Sequence, residues 1–223
     1  MSLLSLSFHS TLLFLYTYAT WYDLNFIPLL GVKKMYAGRW KYLTQWCMVI
    51  QLNYQALCVI SYLYSNSKNI TKFKKIREYV FSVLAFPVSI IVTATFWILY
   101  IKNPNNVREK MYENIIPPHI NHLFHTVIAI ANILDLSMHH HDYPVRRNSY
   151  VGMALFSLSF ITWTIWIKYR ANIWAYKILH KIPTPILPAF FMSFLFMHFG
   201  LYEFELWVKS KQTATNKLKN KMN

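Results

Sequence analysis

The chain has 223 residues, of which 55% are hydrophobic, 18% aromatic and 14% charged, and its formal net charge is +15. This composition is too apolar for a soluble domain and predicts a polytopic membrane protein. The 23 lysine and arginine residues fall almost entirely in loops and in the C-terminal tail, where they suit anionic lipid headgroups. We therefore exclude nucleic acid as a partner.

Six hydrophobic stretches are long enough to cross a bilayer, which takes about 20 residues of helix. They lie at roughly 3–22, 42–64, 79–101, 116–138, 150–168 and 184–206. We expect an all-α protein with six transmembrane helices and both termini on the same side. Residues 1–223 form one domain on this interpretation, with a short basic tail from about residue 208.

The orientation of the chain in the membrane has to be inferred from short sequence signals. The numbers of lysines and arginines on the two sides, twelve and eleven, are too similar to decide it. The ending Lys219-Asn220-Lys221-Met222-Asn223 resembles the cytosolic dilysine retrieval signal of endoplasmic-reticulum membrane proteins; an ordinary lysine-rich tail is the alternative. The sequon Asn69-Ile70-Thr71 would require a luminal loop, but its loop is short, basic and close to the membrane. We expect an endoplasmic-reticulum protein with cytosolic termini.

Three histidines, His119, His122 and His125, lie in the fourth predicted span. At about 100° per residue they share one face of a helix. Ionisable side chains at such depth are costly and usually face a cavity or the protein interior. His125 is the deepest and is interpreted as functional, whereas His119, near the membrane edge, is interpreted as a packing or interfacial residue.

A second histidine group, His139-His140-His141, raises the question of a metal. Multi-span lipid desaturases and hydroxylases bind two irons through grouped histidines, but this run lies more than about 20 Å from His119 by helical rise. Three histidines on one face are compatible with zinc, yet no carboxylate cluster accompanies them. We predict neither a metal nor another cofactor; a metal-dependent lipid-modifying enzyme stays open as an alternative.

Thr44 lies about one turn inside the second predicted span. The second and fourth spans begin on the same side of the membrane, so Thr44 and His125 share one half of the bilayer. A hydroxyl beside an imidazole base is the minimum for nucleophilic acyl transfer. The threonine alone is weak evidence, since threonine is common in membrane helices and its hydroxyl can bond its own backbone.

Several polar residues are candidates for supporting this pair. Asn121 is four residues before His125, and either Asn121 or His122 is expected to orient the imidazole ring. The residues considered as oxyanion or substrate donors are Arg39, Trp40, Asn53 and Asn121.

Four motifs resemble those of one known family: Gly-Arg-Trp-Lys-Tyr-Leu-Thr at 38–44, Leu-Ala-Phe-Pro-Val-Ser at 84–89, Phe-Trp-Ile-Leu at 96–99 and Asn-His-x-x-His-Thr at 121–126. Tyr143-Pro144 and Trp174-x-Tyr176 extend the resemblance over roughly residues 37–207. The family is the androgen-induced and androgen-dependent family of multi-span membrane hydrolases. The chain departs from it at Asn172 and Lys177, where glycine and proline are expected.

The resemblance implies hydrolysis of fatty acid esters of hydroxy fatty acids by a threonine nucleophile and a histidine base. These roles fall on Thr44 and His125, and the implied partner is a lipid substrate that enters from the bilayer. A non-catalytic lipid-binding or regulatory membrane protein, whose histidines only pack, is the other alternative.

Overall fold

The computed structural model describes residues 3–26, 36–65, 70–104, 116–139 and 141–222, with side chains as far as Ala214. Within these ranges the regular elements are helical, and six long helices follow one another along the chain. They are α1 (Leu3–Asn25), α2 (Leu43–Leu63), α3 (Ile70–Lys102), α4 (Pro118–Met138), α5 (Arg146–Ala171) and α6 (Leu187–Met222). The predicted all-α fold is confirmed.

The exterior of the bundle is suited to lipid. Five described helical segments are long and apolar enough to cross a membrane: Leu43–Leu63, Ile70–Lys102, Pro118–Met138, Arg146–Ala171 and Thr184–Ala214. With 23 residues, α1 has the length for a sixth crossing and packs against α2. Large apolar side chains such as Phe14 and Phe196 are 71% and 64% exposed on the outside. The chain is therefore a multi-pass membrane protein.

Two helices extend beyond the spans predicted from hydropathy. α3 begins at Ile70 rather than at about residue 79, and α6 continues to Met222 instead of ending near residue 206. The added segments are rich in lysine, a good helix former whose side chain covers the helix while its charge stays in water. A hydropathy window thus locates the apolar part of each helix, not the ends of the helix.

α3 contains a π-helical turn at Phe81–Ala85, which ends two residues before Pro87. Proline has no N–H, so Pro87 cannot donate to the carbonyl of Val83 one turn earlier. That carbonyl instead accepts a hydrogen bond from Nε2 of His198 in α6, at 2.8 Å. A buried side chain from another helix therefore satisfies the backbone group that the irregular turn leaves unpaired.

A network of buried side-chain amides provides hydrogen-bond donors to the last carbonyl of the same turn. The carbonyl of Ala85 accepts hydrogen bonds from Nε2 of Gln51 in α2 at 2.8 Å and from Nδ2 of Asn132 in α4 at 3.3 Å. Asn132 Nδ2 also lies 3.0 Å from the Gln51 side-chain oxygen and 3.0 Å from Ser89 Oγ. These polar contacts fix the register of α2, α3 and α4, the three helices that position the candidate pair.

A tight turn leads into α2. Ala37 and Gly38 adopt left-handed φ angles of 60° and 49°, the region in which glycine carries no steric penalty. The carbonyl of Trp40 accepts hydrogen bonds from the indole N–H groups of Trp46 and Trp163, at 2.9 and 3.0 Å. The turn is thereby tied to α2 and α5, which determines where α2 begins.

Several sequence predictions lie outside the described residues. They concern Asn69 of the sequon, His140 of the histidine run, and the side chains of Lys219 and Lys221 in the proposed retrieval signal. The cytosolic termini and the endoplasmic-reticulum location therefore stay predictions.

Candidate active site

Thr44 and His125 meet between the first turn of α2 and the first half of α4. Thr44 Oγ1 lies 3.4 Å from Nε2 of His125, and both residues are partly buried. Catalytic hydrogen bonds often have this length before substrate binds, and they shorten in the reacting complex. The two side chains that the sequence predicts as the catalytic pair thus lie within hydrogen-bonding reach of each other.

The other ring nitrogen of His125 fixes its tautomer. Nδ1 lies 3.0 Å from the main-chain carbonyl of Asn121. A carbonyl only accepts hydrogen bonds, so Nδ1 carries the proton in this contact. In the neutral ring Nε2 then presents its lone pair to the Thr44 hydroxyl, as a general base requires.

α3 holds His125 from the side. Phe96 stacks on the imidazole with ring centroids 3.7 Å apart. The indole nitrogen of Trp97 donates to the carbonyl of His125 at 3.0 Å and to Oγ1 of Thr126 at 3.1 Å. α4 forms a π-helical turn here, at Leu123–Val127, a feature that recurs at functional sites. The ring plane and the backbone of His125 are both set by α3.

The pair faces a cavity of about 410 Å³, a size typical of small-molecule sites. Most of its lining side chains are apolar, among them Ile91, Val92, Phe96, Leu99, Phe160, Leu179, Phe191 and Phe194. Ile98, Phe190 and Met197 line the cavity and are also exposed on the outside of the bundle. The cavity therefore reaches the surface that meets lipid.

Arg39 brings a positive charge to the cavity wall. Its Nε donates to Oδ2 of Asp23 in α1 at 3.1 Å, and its Nη2 pairs with the other carboxylate oxygen. The Asp23 side chain is 0% exposed, whereas that of Arg39 is 27% exposed. A buried carboxylate thus fixes the guanidinium at the cavity while leaving part of it accessible.

Of the other predicted supporting residues, only Asn121 lines the cavity. Trp40 is 49% exposed and contributes its carbonyl to the turn before α2. Asn53 is exposed, and its Nδ2 donates to the carbonyl of Val49 at 2.7 Å. His122 is exposed as well, with Nδ1 3.1 Å from Thr126 Oγ1. The structure places Arg39 and Asn121 at the cavity that the pair also lines, and it leaves Trp40, Asn53 and His122 outside that cavity.

The three histidines in the first half of α4 point to different partners. His119 lies 3.5 Å from the hydroxyl of Tyr18, and His122 and His125 contact Thr126 and Thr44. A metal ion needs ligand nitrogens that converge on one point. The donor arrangement around Thr44 therefore does not fit a bound metal.

Tyr176 belongs to the motif Trp174-x-Tyr176, but the sequence did not indicate a role for it at the site. Its hydroxyl accepts a hydrogen bond from the N–H of Leu43 at 2.8 Å, and it lines the cavity. Burial raises the pKa of Tyr176, so the hydroxyl stays protonated. This contact satisfies an N–H group that has no partner within the helix at the start of α2. It also holds in place Leu43, the residue that precedes Thr44.

Comparison with known proteins places the chain among membrane proteins of one family. The family model described as FAR-17a/AIG1-like protein matches residues 4–210. The human Androgen-induced gene 1 protein is 29% identical over 203 residues, covering 84% of this chain and 85% of that protein. The human Androgen-dependent TFPI-regulating protein is 30% identical over 164 residues, 72% and 71% of the two chains. No solved structure gives a significant match.

Proposed function

The chain belongs to the FAR-17a/AIG1-like family, and we propose that it is an intramembrane hydrolase of fatty acid esters of hydroxy fatty acids. One observation carries the proposal: the Thr44 hydroxyl lies 3.4 Å from Nε2 of His125 at the wall of an apolar cavity. The resemblance of the sequence motifs supplies the substrate class, and the cavity suits an acyl chain.

In the acylation step His125 Nε2 accepts the Thr44 proton as Oγ1 attacks the ester carbonyl carbon. The carbonyl π electrons move to oxygen, giving a tetrahedral oxyanion. When this intermediate collapses, the bond to the alkoxy oxygen breaks and His125 returns the proton to that oxygen. The hydroxy fatty acid leaves, and the acyl group stays on Thr44 as an ester.

In the deacylation step a water molecule replaces the departed alcohol. His125 Nε2 accepts a proton from the water while the water oxygen attacks the acyl-threonine carbonyl. Collapse of the second oxyanion breaks the bond to Thr44 Oγ1, which recovers its proton from His125. The second product is the free fatty acid, and both residues return to their starting state.

Asn121 is the side chain best placed to donate to the oxyanion. It is buried, lines the cavity and lies one turn before His125 on α4. An amide N–H donor of this kind stabilises charge that develops in the transition state more than it stabilises the substrate. The side-chain amide and the main-chain carbonyl of Asn121 would then serve the oxyanion and the base separately.

Arg39 is the residue that would bind the free carboxylate of the substrate. Fatty acid esters of hydroxy fatty acids have one acid group, and a guanidinium binds carboxylates with charge-assisted hydrogen bonds. Arg39 is partly accessible at the cavity wall, while Asp23 limits its net charge. Arg39→Gln should raise KM for the free acid but leave KM for its methyl ester nearly unchanged.

The direct test uses the full-length protein purified in detergent and reconstituted in lipid nanodiscs. The substrate is a palmitate ester of a hydroxystearic acid, and both acids are quantified by mass spectrometry. Wild type should release them in equal amounts, and Thr44→Ala should lower kcat by about 1,000-fold or more. Tandem mass spectrometry of the rapidly quenched enzyme should find the acyl mass on Thr44.

Thr44→Ser is the matched control, because it keeps a hydroxyl at the same atom and should retain measurable turnover. Undiminished turnover in Thr44→Ala would overturn the assignment of the nucleophile. Absence of hydrolysis by a folded wild type that still binds the lipid would favour a non-catalytic lipid-binding protein.

A further inference from the structure

A second group of ionisable residues lies at the opposite end of α4 from Thr44. It consists of His9 on α1, Asp135 on α4, and His139 and His141 just after α4, and it is named here the histidine–aspartate cluster. Three ring nitrogens surround one carboxylate oxygen, Asp135 Oδ1: Nδ1 of His139 at 2.6 Å, Nε2 of His141 at 3.8 Å and Nε2 of His9 at 3.9 Å. Ten residues of helix, about 15 Å, separate Asp135 from His125.

Contacts outside the cluster fix the tautomers of two rings. His9 Nδ1 lies 2.7 Å from the side-chain oxygen of Gln55, and His141 Nδ1 lies 2.8 Å from Oε2 of Glu78. Both oxygens are acceptors, so both Nδ1 atoms carry protons. In the neutral rings the two Nε2 lone pairs then face Asp135 Oδ1, which is itself an acceptor. Such outer contacts to acceptor oxygens are typical of metal-binding histidines.

One of these nitrogens makes no hydrogen bond to the described residues. His141 is 5% exposed, and its Nε2 is buried without a hydrogen bond. An unpaired buried polar atom costs free energy, and several acceptors aimed at one point repel one another. A cation between them would remove both costs.

We propose that the histidine–aspartate cluster binds one zinc ion through His9, Asp135, His139 and His141. Three imidazole nitrogens and one carboxylate oxygen are a common tetrahedral donor set for zinc. Ligand atoms of His9, Asp135 and His139 already lie within 4.8 Å of one another. His141 Nε2, 3.8 Å from Asp135 Oδ1, is the fourth ligand atom, and the side chains would move inward to the spacing of about 3.3 Å that tetrahedral zinc sets between neighbouring ligand atoms.

The surroundings indicate a structural site. The Tyr54 hydroxyl donates to Asp135 Oδ2, which leaves Oδ1 as the ligand atom. Arg77 pairs with Glu78, the residue that holds His141. The site would connect α1 and α4 directly, and α2 and α3 through the outer contacts. The side chain of His139 is 23% exposed, which gives the ion a path of entry. The proposal does not depend on the hydrolase activity.

The experiment uses full-length protein purified without a polyhistidine tag and exchanged into metal-free buffer. Plasma mass spectrometry should find about one zinc ion per chain in the wild type. Asp135→Asn and His141→Gln should each lower zinc content by more than about tenfold. His180→Gln is the matched control, since His180 is exposed and lies outside the cluster, and it should keep the full zinc content.

Two further measurements keep the proposal testable if a variant fails to fold. Removing zinc from wild type with a chelator should lower its melting temperature by about 5–10 °C, and added zinc should restore it. Cobalt in place of zinc should give the visible absorption of a tetrahedral site, and His180→Gln should give the same spectrum. Less than about 0.1 zinc per wild-type chain, with no shift on adding zinc, would overturn the proposal and leave a protonated imidazole as the partner of Asp135.

Discussion

The pair Thr44–His125 and the pair Ser157–His198 both join a hydroxyl to a histidine ring, yet they stand in opposite surroundings. Ser157 Oγ lies 3.0 Å from His198 Nδ1, closer than the 3.4 Å of Thr44 and His125. In both, the far ring nitrogen donates to a main-chain carbonyl, of Val83 for His198 and of Asn121 for His125. By hydrogen-bond geometry alone the second pair is the better dyad.

The two pairs differ in whether a substrate can reach them. Ser157 and His198 are 0% exposed, whereas Thr44 and His125 line the cavity. His198 also has a structural task, since its Nε2 serves the Val83 carbonyl that Pro87 cannot satisfy. A hydroxyl–imidazole contact is therefore a candidate site only where a substrate carbonyl can reach the hydroxyl.

The largest effect is expected from replacing each histidine by phenylalanine. His125→Phe should lower kcat by about 1,000-fold, because the general base is lost, and should leave the melting temperature nearly unchanged. His198→Phe should instead keep activity per folded molecule and lose stability by about 2 kcal/mol or more, because the buried Val83 carbonyl is left unpaired. Turnover and thermal melting of both variants in nanodiscs check this. A fully active His125→Phe would contradict the comparison.

Asn121→Ala should lower kcat by about 100-fold with little change in KM, since an oxyanion donor acts mainly in the transition state. The substitution keeps the main-chain carbonyl, so the tautomer of His125 is preserved and only the amide is tested. Steady-state kinetics provide the measurement. Asn121→Asp, which is similar in size but replaces the donor by an acceptor, should be at least as slow. An increase in KM alone would assign Asn121 to substrate binding.

Trp97→Phe should lower kcat by about tenfold, because His125 loses the indole hydrogen bond to its carbonyl. Trp97 is a positioning residue, so KM and the melting temperature should change little. The pH dependence of kcat distinguishes this role from simple packing, since His125 is the base whose position Trp97 fixes. Leu99→Ala, on the same cavity wall, serves as a packing control; the same pH profile in both variants would argue against positioning.

Much of the fold followed from composition, because each crossing helix needs a long apolar segment that hydropathy detects. The two π-helical turns could not be predicted from composition or hydropathy. Pro87 is visible in the sequence, but the side chain that serves the Val83 carbonyl is His198, 115 positions away. Such compensation depends on packing between helices, which local propensity does not encode.

The candidate pair was accessible to sequence reasoning because motif and topology agreed on Thr44 and His125. Asn121 was also accessible, being one helical turn from the base. Asn53 could have been excluded beforehand: nine residues after Thr44 correspond to about 900°, which places it on the opposite face of α2. The Asp23–Arg39 ion pair joins two separate segments, so only the folded structure reveals it.

The smallest effect is expected from Ser157→Ala. It removes a hydroxyl that lies closer to an imidazole than the Thr44 hydroxyl does, yet turnover should stay within about twofold of wild type, because no substrate reaches this buried pair. Stability should fall by about 1 kcal/mol, since His198 Nδ1 loses its donor while Nε2 keeps the Val83 carbonyl. Thr44→Ala, measured alongside, has the converse result: activity is lost and the melting temperature is kept. If Ser157→Ala lowered kcat by more than tenfold without loss of stability, the buried pair would itself take part in catalysis, and access would not be what distinguishes the two.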